Sequence, residues 1–373
     1  MSNLLHSALQ SASNLAVAGH GAETPAVPYS RPSTPASAAF PPQIGFVGLG
    51  AMGSPMLKNL ANHRAAHVHG APPIVIWNRT TAKSDAILAE LGEQKVRVAR
   101  SLEQVAAECD IIISALANDE VARSIYGQFV QTLKQAPPAK HKIFVETSTI
   151  YPTFAGELDA LVSSIPHCHL IASPVFGTPT AAAAAELVIV MSGDYRSKKE
   201  VAYLLVPAVG RKVIDLGGNI EKAPTFKLIG NSMILGTLEI LAEVYTLADK
   251  SGIAASDVHS LVKALISASV LGYSERISTN NFDGTTGFSI NGGIKDASHI
   301  RRLTAVHNSP MPSIDIAHQH LITARAIHTG QAQAGRETVG VLDWSGIVAG
   351  SRVAAGLEPF EHKVRRTLCT AAK

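Results

Sequence analysis

The sequence predicts an α/β fold, a doubly wound parallel sheet followed by an all-helical region, on three observations. Short apolar runs alternate with stretches of helical spacing from Gln43 to about Leu216. After Gly217 and Gly218 the short runs stop, and apolar positions recur every three to four residues. A GxGxxG of Gly48, Gly50 and Gly53 stands between the first apolar run and the first helical stretch. With 373 residues, 46% of them hydrophobic and 16% charged, the chain can form two or three domains and a ligand cleft.

In chain order, residues 1–42 are rich in Ser, Ala and Pro, with Glu23 and Arg31 as the only charges, so they read as a disordered tail or a targeting segment. The lack of Arg in the first 19 residues favours the tail, hence a cytoplasmic protein with a mitochondrial one as the alternative. Residues 43–218 form the first domain. Its candidate strands are IGFV at Ile44, IVIW at Ile74, VRV at Val96, IIISA at Ile111, KIFVE at Lys142, HLIA at His169, LVIVMS at Leu187 and KVID at Lys212. Their continuous apolarity and Val and Ile content suit strands buried on both faces. Residues 219–373 form the second, all-helical domain, interrupted at NNFDGTTGFSINGGIKD and VHNSPMPSID, where Gly, Asn and Pro cluster as in loops.

Composition excludes several classes. A balance of 32 basic against 29 acidic residues gives no nucleic-acid footprint. No uncharged apolar run reaches the roughly 18 residues that a spanning helix needs, so no membrane partner is expected. Three cysteines, Cys109, Cys168 and Cys369, lack CxxC spacing and offer no disulfide framework. His63, His67 and His69 fall in the variable loop before the second strand without Cys or acid nearby, so no metal site is expected.

The chemistry begins at GFVGLGAMGSPM. Gly48 permits a tight turn, Gly50 lets the backbone approach a pyrophosphate, and Gly53 lets helix and strand pack closely, with Leu49, Ala51 and Met52 completing the loop. The helix amides that follow attract negative charge. This is the fingerprint of a Rossmann dinucleotide site. At the end of the second strand the chain reads Asn78, Arg79, Thr80, with no acid before Asp85. A carboxylate there would hold a ribose 2′-hydroxyl, whereas a guanidinium and a hydroxyl suit a 2′-phosphate. NADP(H) is therefore preferred, with NAD(H) possible; Thr80 or Thr81 could instead serve only as a helix cap.

These motifs resemble the β-hydroxyacid dehydrogenase family, which has a 6-phosphogluconate dehydrogenase-like NADP-binding domain and includes 3-hydroxyisobutyrate dehydrogenases and glyoxylate or succinic semialdehyde reductases. The resemblance runs from Ile44 to about Gly346, through GLGAMGSPMLKNL at Gly48, ALAND at Ala115, TSTI at Thr147, SPVFGTP at Ser173, FKLIGN at Phe226, IKD at Ile294 and NSPMP at Asn308. It implies Lys227 as the catalytic proton donor or acceptor and Asn231 as its partner; residues four apart share a helix face. It further implies Leu116, Ala117 and Thr149 in the cofactor pocket, and Lys295 near the nicotinamide in a Gly-rich loop able to close over it. The implied reaction is reduction of a small semialdehyde or keto acid, or oxidation of the matching 3-hydroxy acid, in a homodimer or homotetramer.

The chain departs from the family in ways that bear on substrate. Where the family's substrate loop carries a serine, this chain has Phe176, followed by Gly177 and Thr178. A ring cannot donate the serine's hydrogen bond, so either Ser148, Thr178 and backbone amides hold a carboxylate or the substrate is bulkier and more apolar; packing of Phe176 into the core is the other reading. Gly230 replaces the first asparagine of the family's KxxNN, and Glu221 and Ala223 replace glycines ahead of the lysine. Two rival functions stand beside the dehydrogenase: an imine reductase on the same fold, and a catalytically inactive NADP-binding regulatory protein.

Overall fold

A computed structural model describes residues 26–30, 41–265, 268–285 and 287–361. All eight apolar runs form strands: β1 (Ile44–Val47), β2 (Ile74–Trp77), β3 (Val96–Val98), β4 (Ile111–Ser114), β5 (Lys142–Glu146), β6 (Cys168–Ala172), then β8 (Leu187–Gly193) and β9 (Gly210–Asp215). A two-residue strand, β7 (Val175–Phe176), joins them. The helices between are α1 (Gly53–His67), α2 (Thr81–Leu91), α3 (Leu102–Glu108), α4 (Asp119–Gln135), α5 (Pro152–Ser163), α6 (Pro179–Ala183) and α7 (Tyr195–Leu205). Sheet order is β3-β2-β1-β4-β5-β6-β8-β7, with β9 on β8. The first six strands are parallel, which brings the carboxyl ends of β1, β2, β4 and β5 to one edge. β8 runs antiparallel to β6 and β7 and parallel to β9, so the uninterrupted parallel run ends at β6.

Alternating strand residues feed two cores, one on each sheet face. Phe46, Ile76, Ile113 and Val145 belong to one. Val47, Val75, Ile112 and Phe144 belong to the other, which continues without a break into the helical domain through Leu228, Leu235 and Trp344. The domains thus share a core, and their relative placement rests on it.

The helical domain comprises α8 (Lys222–Lys250), α9 (Ala255–Leu265), α10 (Ala268–Ser278), α11 (Ile290–Val306), α12 (Pro312–Gln333), a 3₁₀ turn at Trp344–Ile347 and α13 (Val348–Ala354). α8 is anchored to the sheet at its start: Ser192 Oγ donates to the Ile220 carbonyl at 2.7 Å and accepts from the Ala223 amide at 3.1 Å. Pro224 sits in the first turn, where its missing N–H costs nothing. Leu228, Leu235 and Leu238 are fully buried along α8, each stabilising by about 2 kcal/mol. By length and composition α8 could cross a membrane, yet half of its most apolar stretch is buried inside the molecule, as in a core helix.

Three sequence expectations are corrected. INGGIKD is the first two turns of α11, not a loop: Ser289 caps it by accepting from the Gly292 amide, and Gly293 is small because a Cβ there would lie 3.2 Å from Trp344. The glycines serve close packing. His63 and His67 lie on α1, rings stacked 4.3 Å apart, rather than in the loop before β2. Residues 26–30, within the stretch read as a tail, lie against the last strand: the Val213 amide donates to Ala26 at 2.8 Å, and buried Tyr29 meets Tyr195 edge to face. Residues 1–25, where a targeting signal would stand, and Cys369 lie outside the described residues; Cys109 and Cys168 are buried free thiols.

Candidate active site

The glycine-rich loop follows β1 into α1. Gly48 has φ of +96°, a left-handed conformation, and a Cβ there would sit 2.2 Å from the Ala115 carbonyl. A Cβ on Gly53 would strike the Gly48 carbonyl at 2.0 Å. Gly50 differs: its Cβ would meet nothing within 4 Å, so this loop face is open. The first turn of α1 carries no acid. An open backbone face at an uncharged helix N-terminus fits a pyrophosphate.

Asn78 holds this loop in place. Its Oδ1 accepts from the Leu49 amide at 2.9 Å, and its Nδ2 donates to the Thr80 carbonyl at 3.0 Å, linking the ends of β1 and β2. Arg79 and Thr80 are exposed beside it. Thr80 occupies the N-cap position of α2 without a side-chain capping bond, so its hydroxyl is not spent on the helix. Leu116, Ala117 and Thr149 follow β4 and β5 at the same sheet edge. The cofactor residues expected from the sequence therefore converge.

Beneath this edge lies a buried polar chain. Ser148 Oγ accepts from the Leu116 amide at 2.6 Å, while the Ser148 amide donates to Glu146 Oε1 at 2.8 Å. Ser114 Oγ donates to Glu146 Oε2 at 2.8 Å and meets Tyr126 Oη at 3.0 Å. Burial pushes the Glu146 carboxyl up. Ser148, expected as a substrate donor, also braces the loops after β4 and β5. Thr178 caps α6 by accepting from the Ala181 amide at 3.3 Å, a bond that leaves its O–H as a donor.

The helical domain supplies the other wall. Lys227 and Asn231 lie on one face of α8, and Asn231 Nδ2 donates to Asp296 Oδ2 at 2.5 Å. Asp296 on α11 is 1% exposed and pairs through Oδ1 with Lys295 Nζ at 3.1 Å. Lys295 Nζ also donates to the Thr149 carbonyl at 2.6 Å, crossing from the helical domain to the sheet edge. The Lys227 ammonium stands 4.4 Å from the centroid of the Phe176 ring. Burial pushes Lys227 down to about 8, helped by the Lys295 charge and opposed by Asp296. Asp296 was missed as a site residue, though it stands in the IKD motif.

A sheet edge with an open glycine loop, facing a half-buried lysine of lowered pKa, is the arrangement of a nicotinamide-dependent oxidoreductase. The NAD binding domain of 6-phosphogluconate dehydrogenase matches residues 43–218 as a family. A probable 3-hydroxyisobutyrate dehydrogenase of Mycobacterium tuberculosis is 35% identical over 221 residues, 59% of this chain and 68% of its own. The NADH-dependent oxidoreductase ucdB of Aspergillus ustus is 27% identical over 274 residues, 72% of this chain and 88% of its own. A solved M. tuberculosis 3-hydroxyisobutyrate dehydrogenase with L-serine superposes with a TM-score of 0.65 at 25% identity, covering 82% of this chain and 98% of its own. The protein belongs to the β-hydroxyacid dehydrogenase family and is an oxidoreductase with a nicotinamide dinucleotide cofactor.

Proposed function

We propose that the protein is an NADP(H)-dependent reductase of a small aldehyde or keto acid, or a dehydrogenase of the matching hydroxy compound, with Lys227 moving the proton. The observation that carries this reading is the pairing of a half-buried Lys227, its pKa brought down to about 8, with the open dinucleotide loop across the cleft. A reduced nicotinamide, when bound, supplies a hydride and is itself oxidised by two electrons. As the new C–H bond forms, the carbonyl π electrons move onto oxygen, and Lys227 Nζ delivers the proton that closes the alcohol. Solvent then reprotonates the lysine. In the oxidative direction neutral Lys227 takes the hydroxyl proton.

Asn231 and Asp296 position this step. Asp296, held by Asn231 and Lys295, offsets part of the desolvation of Lys227 and helps keep most of it charged at neutrality. The 2′-phosphate preference rests on exposed Arg79 and Thr80 and on the lack of an acid at the end of β2; the NADH named for the Aspergillus relative makes this a point to measure. The retained lysine, asparagine and aspartate favour carbonyl chemistry over imine reduction. The exposed stripe Ile229, Met233, Ile240, Val244 and Leu247 on α8 supports a homo-oligomer formed through that helix. The test is NADPH and NADH consumption with a panel of aldehydes and keto acids, cyclic imines in parallel. Turnover of imines alone, or cofactor binding without any turnover, would refute the reading.

A further inference from the structure

The two departures at positions 176 and 230 meet in space. A Cβ added to Gly230 would lie 2.3 Å from Cε1 and 2.4 Å from Cζ of Phe176, a separation that atoms do not tolerate. The ring can stand where it does only because residue 230 has no side chain. Its edge-to-face neighbour is Phe226, one turn earlier on α8, with centroids 6.1 Å apart, and its face covers the Lys227 ammonium. The wall beside the proposed proton donor is therefore aromatic.

Polar groups of the neighbouring loops carry structural bonds as well. Ser148 Oγ holds the Leu116 amide, Thr178 caps α6, and Lys295 is shared between Asp296 and the Thr149 carbonyl. A carboxylate placed against Phe176 would lose water and gain no hydrogen bond from the ring, a costly exchange, whereas an apolar group would lose nothing.

We propose that Phe176 and Gly230 are a matched pair that sets substrate choice: the site takes carbonyl compounds whose substituent facing Phe176 is apolar or aromatic, in preference to those ending there in a carboxylate. This narrows the substrate class of the proposed reductase and rests on that reading. It also makes the ring part of what desolvates Lys227.

The experiment compares kcat/KM for phenylacetaldehyde and butanal with that for succinic semialdehyde, using NADPH, in wild type, Phe176→Leu, Phe176→Ser and Phe176→Ser/Gly230→Asn. The wild type is expected to favour the uncharged aldehydes at least ten-fold, Phe176→Leu to keep most of that ratio with butanal, and both serine variants to shrink it at least ten-fold. In parallel, Gly230→Asn is expected to lower the melting temperature in the wild-type background and to lower it much less when Phe176→Ser is present. A wild-type preference for succinic semialdehyde, or a ratio unmoved by Phe176→Ser, overturns the proposal. Should no aldehyde turn over, the reductase reading fails and the substrate proposal falls with it. Equal melting losses for Gly230→Asn in both backgrounds would overturn the pairing independently of activity.

Discussion

The pH profile of reduction should carry the signature of Lys227. Burial, aided by Lys295 and opposed by Asp296, brings its ammonium down to about 8. Reduction needs the charged form, so the rate is present below that value and lost above it, and oxidation runs the other way. With a pKa of about 8, about 90% of the lysine is protonated at pH 7 and about 9% at pH 9, a fall of about ten-fold; an unperturbed lysine would remain about 97% protonated at pH 9. The assay is initial-rate kcat/KM for NADPH consumption between pH 6 and 10, with a cofactor-binding titration at each pH to separate affinity from proton transfer. Asp296→Asn removes the charge that favours the ammonium, so the limb should move to lower pH. A profile flat to pH 9.5, or an Asp296→Asn limb moving upward, would refute the electrostatic account.

Three further outcomes follow from the same geometry. Gly50→Ala adds a methyl that meets no protein atom, so its melting temperature should match wild type while dinucleotide binding weakens at least ten-fold; Gly48→Ala, forced against the Ala115 carbonyl at positive φ, should be unstable, by thermal melting of both. Arg79→Asp should lower the NADPH-to-NADH ratio of kcat/KM by at least ten-fold, since a carboxylate repels a 2′-phosphate and accepts from a 2′-hydroxyl; an unchanged ratio places Arg79 away from the ribose. Met233→Asp, at an α8 position 71% exposed, should shift sedimentation toward the monomer, and no shift would move the interface off this helix.

Much of this was legible in the chain, and the exceptions have physical causes. Runs such as IIIS and KIFVE announce buried strands because parallel strands covered on both faces have no polar side to show. β7 is two residues long and carries no period, and the reversed direction of β8 leaves no trace in its apolarity. The glycines of INGGIKD suggested a loop because glycine breaks helices on average, whereas here they make room for Trp344 and Phe288. Lys227 and Asn231 were placed by spacing and family motif together. What a linear reading could not supply was contact across the chain: that Phe176 lies on Gly230, that Ser148 Oγ holds the Leu116 amide, and that Asp296 closes on Asn231.

The most direct test of the central claim is single-turnover hydride transfer in Lys227→Met beside wild type, with NADPH affinity measured on the same preparations. Methionine keeps the unbranched apolar stem and removes only the ionisable nitrogen. The account predicts unchanged NADPH affinity with a transfer rate at pH 7 lower by about 10²- to 10⁴-fold, the usual contribution of a positioned acid. A variant that transfers hydride within a few fold of wild type would contradict it and place the proton donor elsewhere in the cleft.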